Sequence, residues 1–547
     1  MPRRVIITAP PPTSNGDLHV GHLAGPFMAL DAFRRYVELR GGEVVAATYS
    51  DDNTSYVETT AARLGETASE VSARCNREIK RTMRAGAVEL DAYLPADTEH
   101  NQFACKFFSE LYERGVLKLK EKEFYYAPAL NKYIIEAFLS GYCQECFAKT
   151  KAGICETCGH PNNYTEILDP HATVDPNTPL VKRSVKVVVF ELEPYRDEIR
   201  RFFADKWSKW RPHTLQLVNE CLENALPDFP VTYPHSWGIP APFPGCEGQV
   251  LNSWAEVLPG LIKSTTAAAR EKGLAATVDD LWYRENGWEV VQFFGYDNSY
   301  FYVFVNLALL MACGERYVLP SGMVINEFYQ LDNSKFSTSL NHVVWARDLL
   351  ESHGSDFARF YLALSNPSYQ KSNFTLNEMT GLVSAKLVEP WQRAVTELNR
   401  LKNRIGLVDG TPYDPTTRGA RRIATLTRRF ERFYEAETMN LRLAAETVTQ
   451  LLEWIASRAR KVADDLDRSE RLGHAREASD LLGLLQAAAI VMTPLMPAFG
   501  ERLRRALAVP ATQAWPTPPF ADWTIRSLEV PADLLPRPAQ ASVGRAA

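Results

Sequence analysis

Apolar and polar positions change their spacing several times along the chain, and each change marks an element. Four β-branched residues, Val5, Ile6, Ile7 and Thr8, predict a buried strand that is broken by a Pro-rich turn with Asn15-Gly16. From Leu23 to Leu39 the apolar residues recur at helical spacing. Val44 to Tyr49 predicts a second strand, ending in Ser50-Asp51-Asp52-Asn53. This rhythm over residues 1–115 is that of half a doubly wound parallel sheet. It is interrupted over 116–230, as expected of an insertion between two sheet halves. It returns over 231–330, with a strand at Val290 to Gly295 and an apolar helix at Phe301 to Met311. Residues 331–375 read as a loop and a connecting helical unit, Trp345 to Ala363. Over 376–508, heptad-like helices (Met379–Leu401, Arg421–Tyr434, Met439–Leu466, Leu481–Ala506) predict a helical bundle. Residues 509–547 form a Pro-rich tail, expected to be disordered from Pro536 onward.

Composition narrows this picture only a little. A chain of 547 residues exceeds one core, so three or four units are expected. Apolar content of 46% and charged content of 23% are those of an ordinary globular protein. The net charge of −5 carries no global basic field for nucleic acid, although a local patch would suffice. No signal-peptide core and no membrane-length apolar run is present, so a cytoplasmic protein is expected. Four of the nine cysteines are clustered, which in a cytosolic chain favours a metal site over disulfides.

Three motifs carry chemistry. His19-Val-Gly-His22 follows the first strand and opens a helix, where backbone N–H groups and two imidazoles are suited to a phosphate whose charge grows in a transition state. Gly21 permits close approach of a nucleotide to the backbone. A chance pair of histidines would look the same in isolation. Lys335-Phe-Ser-Thr-Ser339 supplies a lysine and hydroxyls that can close over a leaving pyrophosphate. Cys143-Gln-Glu-Cys146 and Cys155-Glu-Thr-Cys158 have the spacing of a tetrahedral Zn²⁺ site with four thiolates. With no open ligand position, that zinc would be structural. Asp51, Asp52 and Asp297 stand at strand ends, where they could face a ligand crevice or simply cap a helix. Arg418, Arg421, Arg422, Arg428, Arg429 and Arg432 form a basic run, read either as a solvated helix face or as phosphate contacts to RNA.

The first two motifs resemble the HIGH and KMSKS signatures of class I aminoacyl-tRNA synthetases. The match over roughly residues 3–505 is nearest to the methionyl-tRNA synthetase family, and the knuckle followed by Tyr164-Thr-Glu-Ile-Leu-Asp169-Pro is its most family-specific stretch. The resemblance implies a Rossmann-type parallel-sheet catalytic domain with an inserted zinc-knuckle domain, followed by an anticodon-binding-like α-helical bundle. It implies ATP-dependent activation of an amino acid, methionine or related, to an aminoacyl adenylate, and transfer to a tRNA hydroxyl. His19 and His22 would serve the α-phosphate, Lys335 the β- and γ-phosphates, and Ser337 and Ser339 the loop over the triphosphate, with Mg²⁺ accompanying ATP. Asp51, with Asp52 as fallback, would hold the α-ammonium. Asp297, in Gly295-Tyr-Asp297, would hold the ribose. The side-chain pocket would be lined by Pro11, Thr13, Trp254, Leu258, Leu261 and Tyr302, and a monomer is expected.

The chain departs from the family where specificity lives. Thr338 replaces the second motif lysine, and Asn53-Thr54 stands where the family has His-Gly. Thr13 replaces a pocket tyrosine, Pro11 its leucine neighbour, and Tyr302 a pocket histidine. Val257-Leu258-Pro-Gly-Leu261 replaces a small-Pro-x-x-Tyr run. The family's anticodon-reading Asn and Arg align near Arg393 and Glu397, and Arg460 to Asp467 occupies the region of its base-stacking run; a glutamate there would repel RNA. An alternative is therefore a paralogue that hands its acyl group to a small-molecule acceptor without tRNA. A non-catalytic scaffold would have no need of His19, His22 and Lys335.

Overall fold

The computed structural model describes residues 2–204, 210–336, 342–405, 411–412, 417–466, 471–510, 514–517, 524–525 and 530–535. Strands β1 (Arg4–Thr8), β2 (Glu43–Tyr49) and β3 (Ala92–Leu94) open a parallel sheet. Next come β4 (Leu117–Ala127) and β5 (Val181–Glu191), an antiparallel ladder registered from Val181 opposite Tyr126 to Phe190 opposite Leu117. Strands β6 (Glu289–Gly295) and β7 (Pro320–Asn326) then rejoin the first sheet, whose order is β7-β6-β1-β2-β3. Strand order reverses between β1 and β6, and the crevice beyond their C-terminal ends is where such sheets bind ligands.

Both faces of this sheet are covered, as near-continuous apolar strands require. Val5, Ile7, Val291 and Phe293 pack into one core, while Ile6, Val45, Ala47, Val290 and Phe294 pack into the other. Helix α1 (Met28–Leu39) lies on the first face. The expected helix from Leu23 does not run regularly into it: Leu23–Phe27 is a π-helical turn carrying Pro26, which lacks the N–H of a regular turn. Gly25 in that turn has ψ −114°, and a Cβ there would come within 2.8 Å of the Asn326 amide. Helix α2 (Val257–Glu271) covers the second face.

The bundle comprises α3 (Glu389–Ile405), α4 (Arg418–Tyr434), α5 (Leu441–Asp465), α6 (Arg471–Val491) and α7 (Pro497–Ala506). The single helix expected over Leu481–Ala506 is thus two helices, parted at Thr493-Pro494, because proline removes a helical donor. Carbonyls of the turn between them are used. Fully buried Arg359 donates to Pro494 O and Leu495 O at 2.9 Å each and to Gly86 O at 3.1 Å, and it pairs with Asp31 of α1 at 2.7 Å. That network rivets the bundle to the sheet. Glu397 does not face outward to repel a polyanion: it is buried and held by Arg460 at 2.9 Å and Arg400 at 3.3 Å. In the basic run, Arg422 pairs with Glu477 at 3.1 Å, whereas Arg418, Arg421, Arg428, Arg429 and Arg432 are exposed. Pro536 and the residues after it lie outside the described residues.

Candidate active site

Beyond β1 the chain passes Pro10 to Pro12 and enters the short helical turn Val20–His22. His19 caps it: the Gly21 N–H donates to His19 Nδ1 at 3.1 Å, and the His19 N–H donates to His22 Nδ1 at 3.3 Å. Because both Nδ1 atoms accept, each neutral ring is assigned its proton on Nε2. Burial pulls His22 down to about 4, so at neutral pH it is an uncharged donor. A Cβ on Gly21 would sit 2.9 Å from the His19 ring, so the cap needs a glycine there.

The two imidazoles stack at 3.7 Å, and His19 also stacks on Phe336 at 4.8 Å with the planes only 5° apart. Phe336 belongs to the second motif, so one ring column joins two segments far apart in the chain. The segment after that motif docks on the first one too: the Val20 N–H donates to Val344 O at 3.0 Å, and the Ala346 N–H to Leu18 O at 2.9 Å. The backbone of Lys335 pairs with Gln330 in a short antiparallel ladder. The side chain of Lys335, and all of Ser337, Thr338 and Ser339, lie outside the described residues.

At the end of β2 the two neighbouring carboxylates differ sharply. Asp52 accepts from Ser50 at 2.5 Å, Ser72 at 2.6 Å, Asn76 at 3.0 Å and the Ala96 N–H at 3.0 Å, so it is spent on holding the loop. Asp51 accepts from the Thr13 hydroxyl at 3.0 Å through Oδ2, while its buried Oδ1 has no partner among the described residues. Burial, and next the Glu256 charge, hold Asp51 well above the usual carboxylate range. Asp51 is the one of the pair with an oxygen to offer a cation.

Of the other predicted pocket residues, Thr13 bonds Asp51 and Tyr302 lies close enough for the Asp51 charge to act on its hydroxyl. Trp254 stacks on Phe301 at 3.9 Å, and the neighbouring Tyr302 stacks on Phe294 of β6 at 4.3 Å. Leu258 and Leu261 of α2 are fully buried in the same core as Tyr302, and Pro11 is half-buried in the loop before Thr13. Three residues here escaped the sequence analysis. Glu256 is wholly buried, accepts from Asn53 at 3.1 Å and lies 3.7 Å from His100 Nε2; Tyr49 stacks on His100 at 4.7 Å. A charged residue beside Trp254 in an apolar stretch was the available signal for Glu256. The aromatic two positions before Asp51 on one strand face was the signal for Tyr49.

At the end of β6, the Asp297 carboxylate folds back over Gly295, where a Cβ would meet it at 2.6 Å. Asn298 donates to it at 2.9 Å, while burial raises its pKa. Tyr296 faces the other way. Its ring stacks on His213 at 3.6 Å, His213 meets Glu327 at 2.9 Å, and the Tyr296 hydroxyl donates to the Cys158 carbonyl at 3.1 Å.

That carbonyl belongs to the cysteine cluster. Two similar turns carry it: the Phe147 N–H donates to Cys143 O at 2.9 Å, and the Gly159 N–H to Cys155 O at 2.8 Å. Phe147 and Gly159 adopt φ values of 60° and 78°, left-handed positions that suit the glycine better than the phenylalanine. All four sulfurs lie within 4.8 Å of one another, with Cys143–Cys158 at 3.7 Å and Cys146–Cys155 at 3.6 Å. Tetrahedral Zn–S bonds of about 2.3 Å place sulfurs about 3.8 Å apart, so the cluster fits zinc.

Strand order, a histidine-bearing helix turn at the switch point and a docked second motif are the layout of an α/β nucleotide-binding fold. The model of the family described as "tRNA synthetases class I (M)" matches residues 5–398, and the chain belongs to that family. It is an aminoacyl-tRNA synthetase-type ligase. It is 26% identical over 543 residues to the methionine--tRNA ligase of Flavobacterium psychrophilum, covering 94% of this chain and 75% of that one. To the methionine--tRNA ligase of Thermomicrobium roseum it is 28% identical over 523 residues, covering 93% and 87%. Its fold matches that of Mycobacterium tuberculosis methionyl-tRNA synthetase in complex with methionyl-adenylate, with a TM-score of 0.74 at 17% identity over 98% of this chain and 100% of that one. Among the described residues, no helix is long and apolar enough to cross a membrane.

Proposed function

We propose that the protein activates methionine, or a related amino acid, with ATP and transfers it to the 3′-terminal hydroxyl of a tRNA. The observation that carries this reading is the column of His22, His19 and Phe336, which unites the two motifs at the sheet's switch point. In the first step a carboxylate oxygen of the amino acid attacks the α-phosphate, an O–P bond forms, and pyrophosphate leaves with its electron pair. No protein nucleophile is needed, so the residues act by position and charge. The Nε2–H groups of His19 and His22 donate to the α-phosphate oxygens, where negative charge accumulates. Lys335, Ser337 and Ser339 close on the β- and γ-phosphates, and Mg²⁺ accompanies the nucleotide.

Asp51 offers its open oxygen to the α-ammonium, and Asp297 accepts from the ribose hydroxyls; Gly21 and Gly295 keep the backbone clear for the nucleotide. Cys143, Cys146, Cys155 and Cys158 would hold a zinc ion that stiffens the knuckle Tyr296 grips. In the transfer step the tRNA hydroxyl attacks the acyl carbon and AMP leaves. The five exposed arginines of α4 suit an RNA backbone. Relatives named as tRNA ligases along most of their length favour tRNA over a small acceptor, and a cytoplasmic setting fits both the substrates and the cysteine usage. Charging of methionine tRNA with labelled amino acid tests the reading; failure to acylate tRNA despite adenylate formation would return the small acceptor to first place.

A further inference from the structure

We infer that the side-chain subsite is built for an amino acid ending in a hydrogen-bonding group, a hydroxyl, amide or amine, and not for a purely apolar one. The inference rests on the adenylation reading above and specifies its substrate. In the parallel register Thr8 of β1 lies beside Ala47 of β2 and Gln292 of β6, so all three point to the face covered by α2. One step nearer the C-terminal ends, Tyr49 and Phe294 point to that face as well. Ala47, between Thr8 and Tyr49, contributes only a methyl group. Tyr302 enters from the helical turn Phe301–Asn306 by its stack on Phe294, and His100 by its stack on Tyr49.

Besides Asp51 Oδ1, five buried polar atoms in this neighbourhood have no hydrogen-bond partner among the described residues: Thr8 Oγ1, Tyr49 OH, Gln292 Oε1, Tyr302 OH and His100 Nε2, the last lying 3.7 Å from the Glu256 carboxylate. Their side chains are well enclosed, with Tyr49, Gln292 and Tyr302 each 1% exposed and His100 2%. Buried polar groups are almost always paired, so a set of this size beside the ammonium-facing Asp51 points to a ligand that pairs them. Burial raises both tyrosines far above their ordinary value, so each keeps its proton and offers one donor and one acceptor. A thioether gives these atoms only a weak acceptor and no donor, whereas a terminal amide, hydroxyl or amine answers them directly. A site of this kind discriminates strongly against an analogue that leaves its polar groups unpaired.

The test is amino-acid-dependent ATP–pyrophosphate exchange with methionine, glutamine, homoserine and ornithine, on the full-length protein and on Tyr302→Phe and Tyr49→Phe. Both variants keep the ring stack, and either alone suffices if the other does not fold. At least one polar amino acid is expected to exceed methionine by about tenfold in kcat/KM, and loss of the hydroxyl to erase about tenfold of that preference, mainly through KM. Methionine exceeding all three polar amino acids would overturn the inference and leave the adenylation reading standing. So would variants that lower every amino acid in equal proportion. Exchange with no amino acid at all, by protein that binds ATP, would instead overturn the adenylation reading and the inference with it.

Discussion

Replacing His22 with alanine tests the ring geometry most sharply. The Nδ1 atom of His22 is occupied by the His19 N–H at 3.3 Å, which leaves Nε2–H as the donor toward the site. One preorganised donor to a developing oxyanion contributes about 3 kcal/mol, so His22→Ala should lower the activation rate by about a hundredfold or more. Its KM for the amino acid should barely move, because the bond is made to phosphate. The pH dependence separates a neutral donor from a cationic one. With His22 pulled down to about 4, the ring is uncharged from pH 5 to 8, and no rate step should trace to it there. The folded protein binds fewer protons than the unfolded chain between about 4 and the ordinary histidine value of about 6.5. Stability should therefore fall as pH drops through that window, and less steeply in the variant. Single-turnover adenylate formation across pH 5 to 8 is the assay. A near wild-type rate in His22→Ala, or a wild-type inflection near pH 6.5 that the variant lacks, would refute the reasoning.

Three further outcomes follow from the same geometry. Asp51→Asn removes a buried carboxyl whose ionisation is opposed by burial and by Glu256, so it should leave the protein as stable as before or about 1 kcal/mol more so while abolishing activation; a large drop in melting temperature would show that Asp51 is structural. Phe336→Ala deletes an aromatic pair worth about 1 kcal/mol to the seating of His19, so activation should slow about fivefold, with leucine restoring part of it. Unchanged exchange would dismiss the ring column. Cys143→Ser should lose the bound zinc, measured by metal analysis, and raise the KM for ATP, because the Cys158 carbonyl anchors Tyr296 next to Asp297. Full zinc content in that variant would dismiss the four-thiolate site.

Much of the fold was legible because its signals are local. β-Branched runs announce the strands, and cysteine spacing announces the knuckle whose sulfurs converge. What escaped depends on contacts between distant segments. Asp51 and Asp52 are equivalent in sequence, and only Ser72, Asn76 and Ala96, brought in by the fold, use up Asp52. Glu397 looks like a repulsive surface charge until Arg460 arrives from another helix. The break at Thr493-Pro494 was readable from the proline, but its use was not, since Arg359 reaches those carbonyls from far upstream. The orphaned hydroxyls of Tyr49 and Tyr302 are likewise invisible in sequence, where tyrosine counts as ordinary core.

The central claim is that this site makes an aminoacyl adenylate. ATP–pyrophosphate exchange measured without tRNA, across the full set of amino acids, tests it most directly. Exchange that requires an amino acid, and that collapses in His22→Ala, is the predicted result. No exchange with any amino acid, from folded protein that binds ATP, would contradict it.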